Sequence, residues 1–552
     1  MTGATERSGR RGRNVLIVNL TRLGDLLQTS PTIAGMHEDD PGVRITLLVD
    51  KNFADVCEGI PGVDRILRTD LDQLGRRVLT GGRDLIEAYR GAADLVRELR
   101  ELDFDLALNF SSSRMSAVFM GLLRIPETRG WCATPEGHRL IAHRWSRLFA
   151  TLCLDRAMSD INLVDHYRGV GECGSGRQRL RFETSADAEG RAAALLGGVV
   201  AGGPLVALQL GASRESRMWP RESFSEVGRD LRASGCRIVL VGGRRERELG
   251  QAVAESIGGD VRDLCGRTDI GTLAAVLGHA DLLVTGDTGP MHLAAAVGTP
   301  IVGLFFGPAL PYDTGPYGED HLLLHAAVPC SPCAHSVTCL DAYCRLEIPP
   351  RLVGAAARAR LAGDWAQIDE LAARPGVLRF LRTGFDSHGL FRCTRLGGGP
   401  APEDEILRRA YRATWLASLE QWSLPEERLP GRIDVAPFER VSRLAQAGLE
   451  AAVRLESAAT RGAPCAEIER CGGVMRENEI ELERLASVAP CVRPLTRMFR
   501  FEQESLEAGS VSALADAHRH LYHRLRFESD AMTWLLCGQR ATECHHASSD
   551  QR

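Results

Sequence analysis

A single lysine, Lys51, stands among 67 basic residues, so arginine carries nearly all the positive charge of this chain. That usage reads as a coding bias, and an arginine at a given position is weaker evidence of function than usual. No run of about 20 apolar residues is present, which excludes an ordinary membrane-spanning helix. The arginines at positions 7, 10, 11 and 13 are not followed by the apolar core of a signal peptide, because Val15–Val18 is only strand-length and ends in a polar loop. A cytoplasmic location is the expectation. Net charge is also scarce: 72 acidic against 67 basic residues leave −5, which gives no overall pull toward nucleic acid.

With 552 residues the chain exceeds what one hydrophobic core usually holds, so two to four domains are expected. Hydrophobic residues at 44% and charged residues at 25% are ordinary for a globular protein and name no partner. Sixteen cysteines in a reducing compartment argue for thiols or metal ligands before disulfides.

The first third alternates short β-branched runs with helical patterns. Asn14–Asn19, Arg44–Asp50, Asp64–Leu67 and Phe104–Phe110 read as strands, and Asp84–Leu102 has helical periodicity. The pattern restarts after the Gly-rich linker Gly197–Gly203, with strands expected at Pro204–Leu210, Arg237–Gly242, Asp281–Thr285 and Pro300–Gly307 and helices near Arg221–Ala233 and Arg244–Ile257. Interleaved strands and helices imply parallel sheets covered on both faces, so residues 14–196 and 204–375 read as two doubly wound domains. After Pro349 the strand signal fades. Residues 376–552 read as an all-α extension, with helical stretches at Glu403–Leu424, Pro437–Thr460, Met475–Ser487 and Val511–Leu535, and with Gly397–Pro402 as a second linker.

In doubly wound sheets ligands sit beyond the carboxyl ends of the strands, so the loops leaving the strands carry the interest. The first strand runs into Thr21-Arg22-Leu23-Gly24-Asp25. Gly24 permits close backbone approach, and Asp25 at the start of a helix is placed either to act as a general base or simply to stabilise the helix N-terminus. A second loop, Asp287-Thr288-Gly289-Pro290-Met291-His292, leaves a strand and enters the helix Pro290–Val297. Amides at that helix start would suit a diphosphate, with His292 donating to a phosphate or sugar oxygen; the plain alternative is a capped crossover helix with a surface histidine. The third loop, Gly211 to Pro220, offers Ser213 and the guanidinium of Arg217, which can engage phosphate oxygens bidentately or stand solvated.

At these loops the sequence resembles glycosyltransferase family 9, the ADP-heptose:lipopolysaccharide heptosyltransferases, over roughly residues 14–350. The resemblance rests on the run Val15 to Asp25, the turns at Pro41-Gly42-Val43 and Pro61-Gly62-Val63-Asp64-Arg65, the stretch Gly211 to Pro220, the strand end Val239 to Gly243, and Asp287 to His292 with the alanines that follow. It implies the GT-B fold, two Rossmann-like domains facing a cleft, and an inverting, metal-independent transfer from an ADP-sugar donor. Asp25 would be the base that deprotonates the acceptor hydroxyl. Gly24, Ser213, Arg217, Asp287, Thr288, Gly289 and His292 would hold the donor, and no cofactor would be required for catalysis.

Cys330-Ser331-Pro332-Cys333, followed by Cys339 and Cys344, puts four thiols within fifteen residues, and four thiolates suit tetrahedral Zn or Fe. Many family 9 sequences resemble this pattern, and some relatives that glycosylate autotransporter proteins hold iron in a cysteine cluster, so a structural metal stands beside reduced thiols packed in a loop. The extension from 376 matches no heptosyltransferase feature. His518, His520, His523 and Cys544-His545-His546 show no full ligand set, and an oligomerisation or acceptor-recognition role, testable by truncation after Pro375, is the reading.

Three functions follow from the resemblance. The first is transfer of heptose to a lipid-linked lipopolysaccharide core, with peripheral contact to the inner face of the cytoplasmic membrane. The second keeps that chemistry with a protein acceptor such as an autotransporter or flagellin. The third is a non-catalytic nucleotide-sugar scaffold, against which Asp25, Arg217, Asp287 and His292 together speak; an epimerase, which needs acid–base residues suited to C2 of the sugar, has no comparable match.

Overall fold

The computed structural model describes residues 12–537, apart from 71–82, 135, 175, 177, 198–201, 335–336, 338, 375, 430, 432 and 507–508. The N-terminal arginines before 12, most of the Gly197–Gly203 linker and Cys544-His545-His546 thus lie outside the described residues. By contacts the chain forms two units, residues 1–140 with 161–399, and residues 141–160 with 400–552.

The first unit holds two sheets. Strands β1 (Asn14–Asn19), β2 (Arg44–Asp50), β3 (Arg65–Thr69), β4 (Leu106–Asn109), β5 (Glu127–Ala133) and β6 (Arg139–Ala142) lie in the order β3-β2-β1-β4-β5-β6. β1 pairs in parallel with β2 (Leu16 opposite Thr46) and with β4 (Leu16 opposite Ala107). Helices α1 (Leu23–Leu27), α2 (Ser30–Asp39), α3 (Arg83–Glu101), α4 (Arg114–Leu123), α6 (Leu163–Gly171) and α7 (Ala186–Leu196) connect or follow them, whereas α5 (Arg144–Leu154) belongs to the second unit.

The second sheet runs β9-β8-β7-β10-β11-β12, from β7 (Leu205–Gln209), β8 (Arg237–Val241), β9 (Val261–Asp263), β10 (Leu282–Gly286), β11 (Ile301–Phe305) and β12 (Leu322–Ala326). Around it are α8 (Arg221–Ala233), α9 (Arg247–Ile257), α10 (Ile270–Gly278), α11 (Gly289–Ala296), α12 (Pro350–Leu361) and α13 (Trp365–Ala372). Every residue of β7 and β11 is buried, as a parallel strand covered on both faces requires. Truncating a fully buried leucine such as Leu208 to alanine should therefore cost about 2–5 kcal/mol.

Both sheets show one strand from which the chain winds outward in both directions, β1 in the first and β7 in the second. Such a switch point leaves a crevice beyond the strand ends, between β1 and β4 and between β7 and β10.

The strand signal does not end where the sequence pattern fades. β13 (Leu378–Phe385) joins β12 antiparallel, with Phe380 opposite Leu324, and β14 (Phe391–Arg395) joins β13, so the second sheet extends past Pro375. Both strands are only partly buried and rich in arginine, the composition of the outer margin of a sheet whose edge strand is β14, and this masks their alternation. β5, β6, β9 and β12 are likewise strands that the sequence reading passed over.

The second unit is helical: α14 (Glu403–Glu420), α15 (Ala436–Thr460), α16 (Cys465–Val488), α17 (Arg493–Gln503) and α18 (Val511–Leu536). Its surprise is α5, contributed by residues 141–160, far upstream of the rest of the unit. Trp145, Leu148 and Leu152 of α5 are buried. The Trp145 indole donates to Glu420 Oε1 at 2.7 Å. Arg144 donates to Glu502 Oε1 at 2.7 Å and to the Ser418 carbonyl at 2.7 Å, and Ser418 Oγ donates to Glu528 Oε1 at 2.5 Å. Two buried carboxylates are thereby held by Arg144 and by Arg524, whose Nη2 lies 3.1 Å from Glu502. α15 and α18 pack closely because position 448 is glycine: a Cβ there would lie 2.2 Å from the Tyr522 ring. No described helix is long and apolar enough to cross a membrane.

Candidate functional site

The loops that leave β1, β7 and β10, the strands flanking the two switch points, are the loops that carry the expected site residues. The sheet order explains why they are the informative ones.

Beyond β1, the chain turns at Thr21-Arg22 and enters α1, with Asp25 in its first turn. The Arg22 amide donates to Asp25 Oδ2 at 3.4 Å, so the helix-stabilising role of this carboxylate is present in the structure. Burial nevertheless outweighs that donor, the Thr21 hydroxyl and the Arg22 charge, and lifts the Asp25 pKa above the usual 3.8. A carboxylate destabilised in its charged form is a better proton acceptor than a solvated one. Asn19, fully buried at the end of β1, fixes the turn: its amide donates to the Asp25 carbonyl at 3.3 Å, and its Oδ1 accepts the Thr21 hydroxyl at 2.5 Å. The Leu20 amide donates to Ser111 Oγ at 2.7 Å, which ties the β1 loop to the β4 loop across the first switch point.

Beyond β10, Asp287 and Thr288 precede α11, whose first residue is Gly289. His292 is buried on α11, and that burial drops its pKa from 6.5 to about 4, so the ring is neutral at neutral pH. Its Nδ1 has no hydrogen-bond partner among the described residues. The surface histidine of the plainer sequence alternative is therefore ruled out by burial.

Beyond β7, Arg217 Nη2 lies 3.2 Å from Asp287 Oδ2, both side chains being mostly buried. Asp287 thus aims the guanidinium across to the α11 loop. Ser213 lies exposed in the same loop.

The two halves of the first unit meet at these helix starts. A Cβ on Gly24 would lie 2.7 Å from His292 Cδ2, and a Cβ on Gly289 would lie 2.7 Å from Leu23 Cδ2. Both glycines are needed so that α1 and α11 can touch. Gly24, Asp25, Arg217, Asp287, Thr288, Gly289 and His292 are accordingly brought to one place.

Two site residues escaped the sequence reading. Gln209, buried at the end of β7, accepts the hydroxyls of Thr285 (3.0 Å) and Thr288 (3.2 Å) and donates to the Gly211 carbonyl (2.7 Å), so it locks the β7 and β10 loops together. Its signal is only a polar residue closing an apolar strand. Glu246 lies against Gly211, where a Cβ would be 2.7 Å from the glutamate Cδ, and Glu246 Oε2 accepts the Gly243 amide at 2.7 Å. A carboxylate over the end of β8 is the position from which doubly wound domains reach a ribose hydroxyl.

The cysteine segment borders this site. The Cys333 amide donates to the Gly307 carbonyl at 3.2 Å, just beyond β11. Arg345 donates to the Glu215 carbonyl at 3.3 Å, and Trp219 Nε1 donates to the Ile348 carbonyl at 3.3 Å, so the residues after Cys344 brace the loop that holds Arg217. The four thiols are neighbours: burial first, then the charges of Cys330, Cys344 and Cys339, raise the pKa of Cys333. The donor set suits Zn or Fe in type, yet Cys333 Sγ and Cys339 Sγ face the carbonyls of Cys330 (3.8 Å) and Asp341 (3.2 Å). Among the described residues no three of His, Cys, Asp or Glu converge to hold an ion.

Known proteins resemble the α/β part of this chain in sequence and fold. Residues 92–344 match the family model for glycosyltransferase family 9 (heptosyltransferase), a match that begins downstream of Asp25. The chain is 25% identical over 329 residues to lipopolysaccharide heptosyltransferase 1 of Pseudomonas aeruginosa, covering 58% of this chain and 85% of that protein. It is 22% identical over 328 residues to lipooligosaccharide heptosyltransferase 2 of Haemophilus influenzae, covering 56% and 88%. The crystal structure of the family 9 glycosyl transferase from Veillonella parvula superposes with a TM-score of 0.51 at 21% identity, over 64% of this chain and 97% of that one. The α/β part of this chain, two Rossmann-like halves in the GT-B arrangement, is thus similar in sequence and fold to the heptosyltransferases of glycosyltransferase family 9.

Proposed function

We propose that this chain transfers a heptose from ADP-heptose, with inversion, to a hydroxyl of a lipid-linked lipopolysaccharide core oligosaccharide, working in the cytoplasm with peripheral contact to the inner membrane face. The observation that carries the reading is the contact between the start of α1, which bears Asp25, and the start of α11, which bears His292. The names of the curated relatives support the heptose and the acceptor class.

In this reading the Asp25 carboxylate takes the proton of the acceptor hydroxyl as its oxygen attacks the anomeric carbon. The bond from that carbon to the phosphate oxygen breaks, and ADP leaves with the bonding pair. Arg217, held by Asp287, and the amides at the start of α11 receive the charge that develops on the diphosphate. Neutral His292, buried beside Gly24, donates to or accepts from the sugar or phosphate as a hydrogen-bonding group and not as a cation. Gln209 keeps the two donor loops in register.

Incubating the protein with ADP-heptose and following ADP release, with and without a heptose-deficient core acceptor, tests the proposal. Acceptor-stimulated release is the expected result. Release stimulated only by an unfolded adhesin or flagellin segment would move the acceptor to protein, and tight donor binding with no release under any condition would leave a scaffold.

Gly24→Ala provides a structural check. Its methyl group would collide with the His292 ring and force α1 from α11 by several tenths of an ångström. Since a misplacement of about 1 Å can cost roughly 10²-fold, turnover should fall about 10- to 100-fold, with a change in melting temperature of only a few degrees.

A further inference from the structure

We infer that the helical unit carries a binding groove for an anionic saccharide, a sugar bearing phosphate or carboxylate, and that through it this unit grips the acceptor; the second clause rests on the transfer reading above. The groove, about 330 Å³, runs between α16 and α17. That volume falls at the lower end of small-molecule sites and suits one or two sugar rings.

The two helices present matched faces. Arg493, Arg497 and Arg500 recur at intervals of four and three along α17, which places three guanidiniums on one stripe of that helix. Leu482 of α16 and Phe499 of α17, both buried, contribute apolar surface to the lining.

The guanidiniums are unequally engaged. Arg497 is spent on Asp155, with which it makes a close ion pair. Arg493 stands 3.5 Å from the same carboxylate, and Arg500 reaches Glu483 and Glu504 only at 3.5 and 3.7 Å, beyond good hydrogen-bond geometry. A guanidinium has five donors, so Arg493 and Arg500 keep forked donor capacity for a planar or tetrahedral anion.

A bare anion is not the best occupant. Glu479 and Glu483 also line the groove and repel a ligand that offers charge alone. Glu479 Oε1 accepts Gln503 Nε2 at 2.7 Å, and this carboxylate–amide pair leaves acceptor positions that ligand hydroxyls would fill. Hydroxyls for the carboxylates, an anionic substituent for the arginines and a ring face for Phe499 are properties a charged sugar combines.

The test is calorimetric titration of the full chain with glucose 6-phosphate, glucuronic acid, glucose and inorganic phosphate, for the native protein and for the double variant Arg493→Gln with Arg500→Gln. Arg497 is kept because it holds Asp155. The two charged sugars should bind at least 10-fold more tightly than glucose or inorganic phosphate, and the double variant should lose at least 10-fold for them while it stays folded and its ADP-heptose affinity is unchanged. Phosphate binding as tight as the sugar phosphate, glucose binding as tight as the charged sugars, or charged-sugar affinity unchanged in the double variant would each overturn the groove. In turnover the variant should raise the acceptor KM about 10-fold with kcat and donor KM unchanged; an unchanged acceptor KM overturns the acceptor clause. A protein that binds charged sugars but transfers nothing refutes the transfer reading and leaves the groove standing.

Discussion

Asp25→Asn should reduce acceptor-dependent transfer by about 10²- to 10⁴-fold, the usual worth of a positioned general base, with ADP-heptose affinity changed by no more than a few-fold. The amide keeps the size of the side chain and its acceptor oxygen for the Arg22 amide, so the first turn of α1 is preserved while the proton acceptor is lost. If Asp25 only stabilised the helix, the variant would lose a fraction of a kcal/mol of stability and little rate. Kinetics and thermal melting on the same preparation therefore separate the two roles, and robust turnover by the variant would remove Asp25 as the base.

The same assignment fixes a pH dependence. The base must be ionised to act, so kcat/KM falls as pH drops through the Asp25 pKa, and burial places that limb above the 3.8 of an ordinary aspartate. His292 adds no inflection near 6.5 in the free enzyme, because its buried ring protonates only near pH 4. A limb that persists unchanged in Asp25→Asn would assign it to another group.

The second large effect is expected in the helical unit. Glu528 is buried beside Glu502, and burial together with that neighbouring charge raises its pKa to about 7 against the opposing pull of Arg144, Ser418 and Arg524. The folded state therefore holds a proton that the unfolded chain releases near 4.5. Its contribution is complete below that value and is lost as pH rises toward 7, so the stability of the unit falls across this window by roughly 3 kcal/mol. Urea unfolding followed by tryptophan fluorescence should show a midpoint that declines from pH 5 to pH 8, and Glu528→Gln should flatten the decline. A native midpoint independent of pH would contradict the assignment. Arg144→Ala should cost about 3–5 kcal/mol at neutral pH, since it leaves buried Glu502 and Glu528 with one guanidinium in place of two.

These contacts also change what truncation can show. Cutting after Pro375 would remove β13 and β14 from the second sheet, and cutting at Gly399 would strip α5 of the helices that bury Trp145, Leu148 and Leu152. Loss of activity in either shortened chain would report damaged packing before it reported acceptor recognition. Point substitutions within α17 are the cleaner probe.

The sequence by itself determined the two doubly wound halves and the helical tail, because fully buried parallel strands such as β1, β7 and β11 read as unbroken apolar runs, and α15 and α18 repeat at helical spacing over more than twenty residues. It also marked the loops after β1, β7 and β10, since glycine, a capping residue and a charged or hydroxyl side chain at a strand-to-helix turn form a local signal. Only the tertiary structure decided that residues 141–160 complete the helical unit, that Gln209 clamps Thr285 and Thr288, that Asp287 aims Arg217, and that Gly24 lets His292 approach α1. Each of these joins residues from 70 to more than 350 positions apart, or depends on a side chain whose partner is set by strand order. Periodicity and turn chemistry report on neighbours within a few residues; which distant surfaces close on one another is settled by the sheets and by the burial they impose.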